Sequence, residues 1–222
     1  MTLQRIQTAI RADRAAAILI VMGVVFRVLW AVARHGQRAD GEAFRVASAI
    51  ASGHGFADAY GPGQGPTAHL SPISPSIGGA LYGLLGIASP SAEFLLTIWS
   101  IALAVVTFVL LYRAFAHIGV PRPIRLVGLG IGMLLPSYFS GEVVDFRLWD
   151  GGLAACLAAA FLERLTYAIV RDHAMVRARR PLALSPAIIA AVLTFVNPPL
   201  GLCAAICLVV DGLGRLPMRR NL

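Results

Sequence analysis

The stretch SPISPSIGGALYGLLGIASP, residues 71–90, is apolar between proline-marked ends, and whether it crosses a membrane sets the orientation of every later segment. Its apolar core is short against the roughly 20 residues a spanning helix needs. Hydropathy alone leaves it undecided. Arginine placement is a second test, because cytoplasmic loops are enriched in basic residues. Suppose residues 71–90 dip into the membrane surface without crossing. Arg5, Arg11, Arg14, Arg113, Arg122, Arg125, Arg171, Arg177, Arg179, Arg180, Arg215, Arg219 and Arg220 then share one side, and Arg34, Arg38, Arg45 and Arg147 take the other. If the stretch crosses, that asymmetry largely disappears. A re-entrant or interfacial hairpin at 71–90 is therefore expected.

Outward from that stretch, apolar runs mark candidate spans at 15–33, 92–112, 124–140 and 151–170, followed by a proline-broken pair at 183–196 and 200–214. The expected fold is all-α: a polytopic membrane protein of about six transmembrane helices forming a single domain over residues 1–222. A first outer loop (35–91) holds interfacial helices, a second runs over 140–150, and both termini are cytoplasmic. The first run, AAAILIVMGVVFRVLWAVA, is too long for a signal-peptide core and has no clear cleavage site, so it is expected to be retained.

Composition agrees. The 222 residues are 58% hydrophobic and 14% charged, with a mean hydropathy of +0.75, outside the range of ordinary soluble domains. Every basic residue is arginine, and the net charge is +8. In a soluble protein that balance would point to nucleic acid; here the arginines collect between apolar runs and report topology, so no nucleic-acid partner is expected. Cys156, Cys203 and Cys207 all lie in apolar segments, where cysteine behaves as a small hydrophobe. Cys203 and Cys207 share a helix face, but a pair without histidine or further cysteines makes a poor metal site.

The acids gather where the arginines do not. Residues 40–52 placed on a helix put Asp40, Phe44, Ala47 and Ala51 on one stripe, with Val46 and Ile50 beside it, and Glu42, Arg45 and Ser52 on the other side. Glu42 and Arg45, three apart, read as a solvated pair. Asp40 reads either as the helix N-cap or as a general base at the lipid interface. The Gly- and Pro-rich run from Gly53 to Pro75 suits no regular element, and its location fits substrate entry or a surface linker. The irregular spacing of His54, Asp58 and His69 argues against a metal site, and no cofactor is expected. The second loop brings Glu142, Asp145, Arg147, Trp149 and Asp150 to the mouth of two helices. Trp149 reads as an interfacial anchor. Arg147 suits either a pair with Asp145 or Asp150, or a phosphate, whose geometry its planar fork matches. Arg27, in the middle of an apolar helix, needs a partner or a polar cavity; Glu163 and the turn at Asn197 are the candidates.

The ordered set of Arg27 in the first helix, ADGEAFRVASAIASGHGF, GPTAHLSPISPSIGGALYGLLG, PSYFSGEVVDFRLWDGGLAACL and LTFVNPPLG resembles the N-terminal half of the integral-membrane GT-C glycosyltransferases. The branch is the one similar to protein O-mannosyltransferases and aminoarabinose transferases. The resemblance runs from about Arg27 to about Leu200. It implies that Asp40, followed four residues later by the aromatic Phe44, is the catalytic base, and that Asp150 after Trp149 is a second acid. It implies transfer of a sugar from a polyprenyl-phosphate donor to an acceptor hydroxyl, with inversion, at the outer face of a bacterial cell (inner) membrane. Glu42, Arg45, His54, His69, Arg147 and Trp149 are the candidate substrate contacts, with Arg147 or Arg45 stabilising the departing lipid phosphate. Members of that family continue with further transmembrane helices, so a second subunit or self-association is expected to complete the pocket. The competing expectation is an inactive GT-C-like module that binds a lipid-linked sugar or a partner subunit. A small transporter or channel, drawing on Arg27 and the Asn197-Pro198-Pro199 break, is a third.

Overall fold

The computed structural model describes residues 3–33, 41–135, 147–174 and 184–214. Eight helices account for most of them: α1 (Leu3–Ala33), α2 (Glu42–Ala51), α3 (Ile73–Leu85), α4 (Pro90–His117), α5 (Arg122–Leu134), α6 (Asp150–Ala174), α7 (Leu184–Val196) and α8 (Pro198–Gly214). No strand occurs among the described residues, where a single antiparallel bridge joins Ala57 to Pro66.

Three helices are long and apolar enough to cross a membrane, within α1 (Arg14–Ala33), α4 (Pro90–His117) and α6 (Asp150–Val170). That is fewer than the six expected. The difference comes from proline, which lacks an N–H and pushes the preceding residue out of the helical region. α5 ends at Leu134, just ahead of Pro136, and α7 ends at Val196 ahead of Asn197-Pro198-Pro199. The last part of the expected 124–140 span, residues 136–140, lies outside the described residues. The stretch at 71–90 holds a helix of 13 residues, about 20 Å long at 1.5 Å per residue.

The helices pack in a row: α1 on α5, α5 on α4, α4 on α6, α6 on α7, and α7 on α8. α2 and α3 pack on each other, and α3 touches α4 and α6. At the end of the row the chain doubles back. A Cβ on Gly201 would fall 2.4 Å from the Thr194 Cα, whereas residues seven apart in a continuous helix lie about 10 Å apart. The Asn197 side chain caps the second arm by accepting the Leu200 N–H at 3.1 Å. Ala190, Leu193, Val196 and Ala204 of this hairpin bury against Ala154, Phe161 and Leu165 of α6. Its arms of 13 and 17 residues reach about 20 and 25 Å, each short of a hydrocarbon core of about 30 Å.

Arg27 is fully buried, and its described acceptors are main-chain carbonyls. It donates to Met133 O at 2.7 Å and Gly132 O at 3.2 Å, in the last turn of α5, and to Gly23 O at 3.3 Å in its own helix. The last carbonyls of a helix have no intrahelical donor and carry the negative end of its dipole, so a guanidinium there answers both deficits. This corrects the expected pairing with Glu163 or the Asn197 turn. Glu163, itself buried, pairs instead with Arg113 at 2.9 Å, His117 at 3.4 Å and Arg164 at 3.4 Å.

Candidate functional site

α2 divides its faces as an amphipathic helix should. Phe44, Val46, Ala47 and Ala49 are buried, Phe44 and Ala47 against Tyr82, Leu96 and Leu148. Arg45, Ser48 and Ser52, spaced by three and four residues, lie on the other face and line a cavity of about 440 Å³. The helix starts at Glu42 with Gly41 in the N-cap position, its carbonyl accepting the Phe44 and Arg45 N–H groups at 3.1 Å. The N-cap reading of Asp40 is therefore corrected by one residue; Asp40 itself lies outside the described residues.

The loop that follows closes one side of the cavity with His54, Asp58, Pro62 and Gly63. It is more regular than its composition led us to expect. Asp58 exchanges main-chain hydrogen bonds with Gly65 and Gly61, and its Oδ1 takes the Gly65 N–H at 3.1 Å. Its φ of +64° is a left-handed conformation that aspartate tolerates because its side chain can bond locally.

Tyr82 and Glu93 line the cavity as well, as do Phe44, Ala49 and Ala88. The Tyr82 hydroxyl donates to Glu93 Oε1 at 2.6 Å. Arg147 lies 2.6 Å from Glu93 Oε2, an ion pair outside hydrogen-bond alignment, because Oε2 is buried and accepts no hydrogen bond among the described residues. The same guanidinium lies 3.4 Å from the Thr97 hydroxyl and 6.0 Å from the Phe44 ring centre. Burial raises the Tyr82 phenol well above its ordinary value, the hydrogen bond to Glu93 and that residue's charge raise it further, and Arg147 opposes them. The phenol therefore stays a donor at any physiological pH.

The structure brings together some of the expected site residues and separates others. Arg45 and His54 line the cavity. Glu42 and His69 pair with each other at 3.1 Å, with the His69 ring 5.4 Å from Tyr60, and neither lines the cavity. Arg147 is 7% exposed and faces Glu93, a partner the sequence did not suggest; the expected partner Asp145, like Glu142, lies outside the described residues. Trp149 is 58% exposed, as an interfacial anchor would be. Asp150 opens α6 apart from the cavity, beside Ser71 and Ser74, and its Oδ1 is buried without a hydrogen bond among the described residues. No three His, Cys, Asp or Glu side chains gather as a metal site among the described residues.

Tyr82, Glu93 and Ser48 escaped the sequence reading. Little in the sequence marked them: Glu93 stands in the first turn of α4, where an acid is ordinary because the helix dipole favours it. Comparison with protein-family models, with curated proteins and with solved structures finds no match for this chain.

Proposed function

We propose that the chain is a membrane-embedded glycosyltransferase of the GT-C kind, moving a sugar from a polyprenyl phosphate to an acceptor hydroxyl at the outer membrane face. The cavity on the polar face of α2 carries this reading. At about 440 Å³ it falls in the size range of small-ligand sites, and it puts a cation, hydroxyls and carboxylates beside helices long and apolar enough to cross a bilayer. That mixture suits an amphiphile with a phosphate and a polyhydroxylated head. Asp40, two residues ahead of α2, would take the acceptor proton as the oxygen attacks the anomeric carbon; the bond to the lipid phosphate breaks on the opposite side. Arg45 is assigned to the departing phosphate because it lines the cavity, which Arg147 does not. Further helices, from a second subunit or a second copy, would complete the acceptor side.

The inward turn of Arg147 also favours a second reading, a non-catalytic module that binds the lipid-linked sugar without turnover. The test is release of free polyprenyl phosphate from a polyprenyl-phosphate sugar by the purified protein. Asp40→Asn should cut release by about 10² to 10⁴ while folding and lipid binding persist. Undiminished turnover in that variant sinks the base assignment. No turnover by the wild type, with binding retained, selects the binding module.

A further inference from the structure

We infer that Glu93 is the sugar-recognising residue of the cavity, accepting hydroxyl groups of the lipid-linked sugar while Arg45 serves its phosphate. The inference rests on the function proposed above and adds to it the division of the site into a sugar end and a phosphate end.

The two carboxylates of the α4–α6 seam carry the argument. Glu163 has a side chain only 3% exposed, and it works entirely inside the helix pair. Glu93 faces a buried arginine, yet its side chain is 20% exposed and lies on the cavity wall. A carboxylate needed only to neutralise Arg147 has no reason to reach the cavity. Its charge matters too. A bare carboxylate beside a phosphodiester would repel the donor lipid, but Arg147 at 2.6 Å cancels that charge and leaves the acceptor capacity intact. An ionised carboxylate offers about four lone-pair positions, and the Tyr82 hydroxyl takes one on Oε1. The second lone pair of Oε1 remains for a sugar hydroxyl, with the Tyr82 oxygen beside it as a further acceptor. Tyr82 and Arg147 fix the carboxylate from two sides, which is how a site discriminates a hydroxyl-bearing ligand from one lacking it.

The experiment compares two probes, undecaprenyl phosphate and undecaprenyl-phosphate glucose, titrated against the full chain in nanodiscs. Wild type should bind the sugar-bearing lipid at least about tenfold more tightly than the bare lipid phosphate. Two variants test the assignment. The double substitution Glu93→Met with Arg147→Met removes the acceptor and both charges together, and should bring the two lipids to parity with bare-lipid affinity unchanged. Tyr82→Phe keeps the ion pair and should reduce the preference severalfold. Arg45→Gln should weaken both lipids alike. Wild-type binding of bare lipid with no preference for the sugar overturns the inference, as does a preference left undiminished by Tyr82→Phe or by the double substitution with only thermal stability lowered. Should the double variant fail to fold, Tyr82→Phe decides alone. Binding of neither lipid by wild type is the separate outcome that brings down the functional reading itself, and this inference with it.

Discussion

The two ends of the α4–α6 seam solve the same problem differently. At one end Glu93, in the first turn of α4, meets Arg147, just ahead of α6; at the other Glu163 of α6 meets Arg113 and His117 near the end of α4. The first is a single carboxylate with a single buried guanidinium and a phenol. The second is one buried carboxylate shared by a histidine and two arginines, Arg113 and Arg164, both more than half exposed. The difference is redundancy. Among the described contacts, losing one arginine from the Glu163 cluster leaves the other in place, while losing Arg147 leaves Glu93 with the Tyr82 phenol alone.

The largest test of that contrast is Arg147→Met. Breaking a buried pair from one side typically costs about 3–5 kcal/mol, so the thermal midpoint should fall sharply; an effect as small as that of Arg164→Met would erase the contrast. Tyr82→Phe comes next, at about 1.5–3 kcal/mol for a hydrogen bond to a charged acceptor. Its pH dependence has a definite sign. The folded phenol is raised above its unfolded value, so its contribution is complete below a pH of about 10 and is lost as pH climbs further. Stability curves of wild type and Tyr82→Phe should therefore run parallel below that pH and converge above it; a constant gap at high pH would contradict the buried, donating phenol. At the other end, Glu163→Gln should cost less, about 1–2 kcal/mol, because two of the stranded cations reach water. Smallest of all is Arg164→Met, within about 0.5 kcal/mol in chemical denaturation. A larger loss would mean that the shared cluster has no spare cation.

Much of the architecture was readable from residue pattern. The all-helical class, the stripe of α2 and the brevity of the apolar core at 71–90 all follow from periodicity and length, and the helices realise them. The count of long helices did not follow, because hydropathy sums composition over a window and is blind to where Pro136 or Pro198 stops a helix. Arg27 shows another limit. Its charge announced a partner, but the acceptors on α5 are main-chain carbonyls, which every residue possesses and no residue letter marks. The candidate site divided likewise. Arg45 and His54 were found because they lie in a polar run, whereas Tyr82 and Glu93 lie in apolar segments and meet Arg147 only through the packing of α3 and α4 against the start of α6.

The arginine in α1 also bears on how the chain is made. The Met133 carbonyl that it grips lies 106 residues further along. At a synthesis rate of about 5–20 residues per second, α1 waits about 5–20 s for the helix that supplies that acceptor. An arginine inside so apolar a helix costs about 2.5–3.5 kcal/mol on translocon scales, and during the wait α5 offsets none of it. The contact that answers Arg27 from α5 thus forms only after α5 is made, however early α1 emerges.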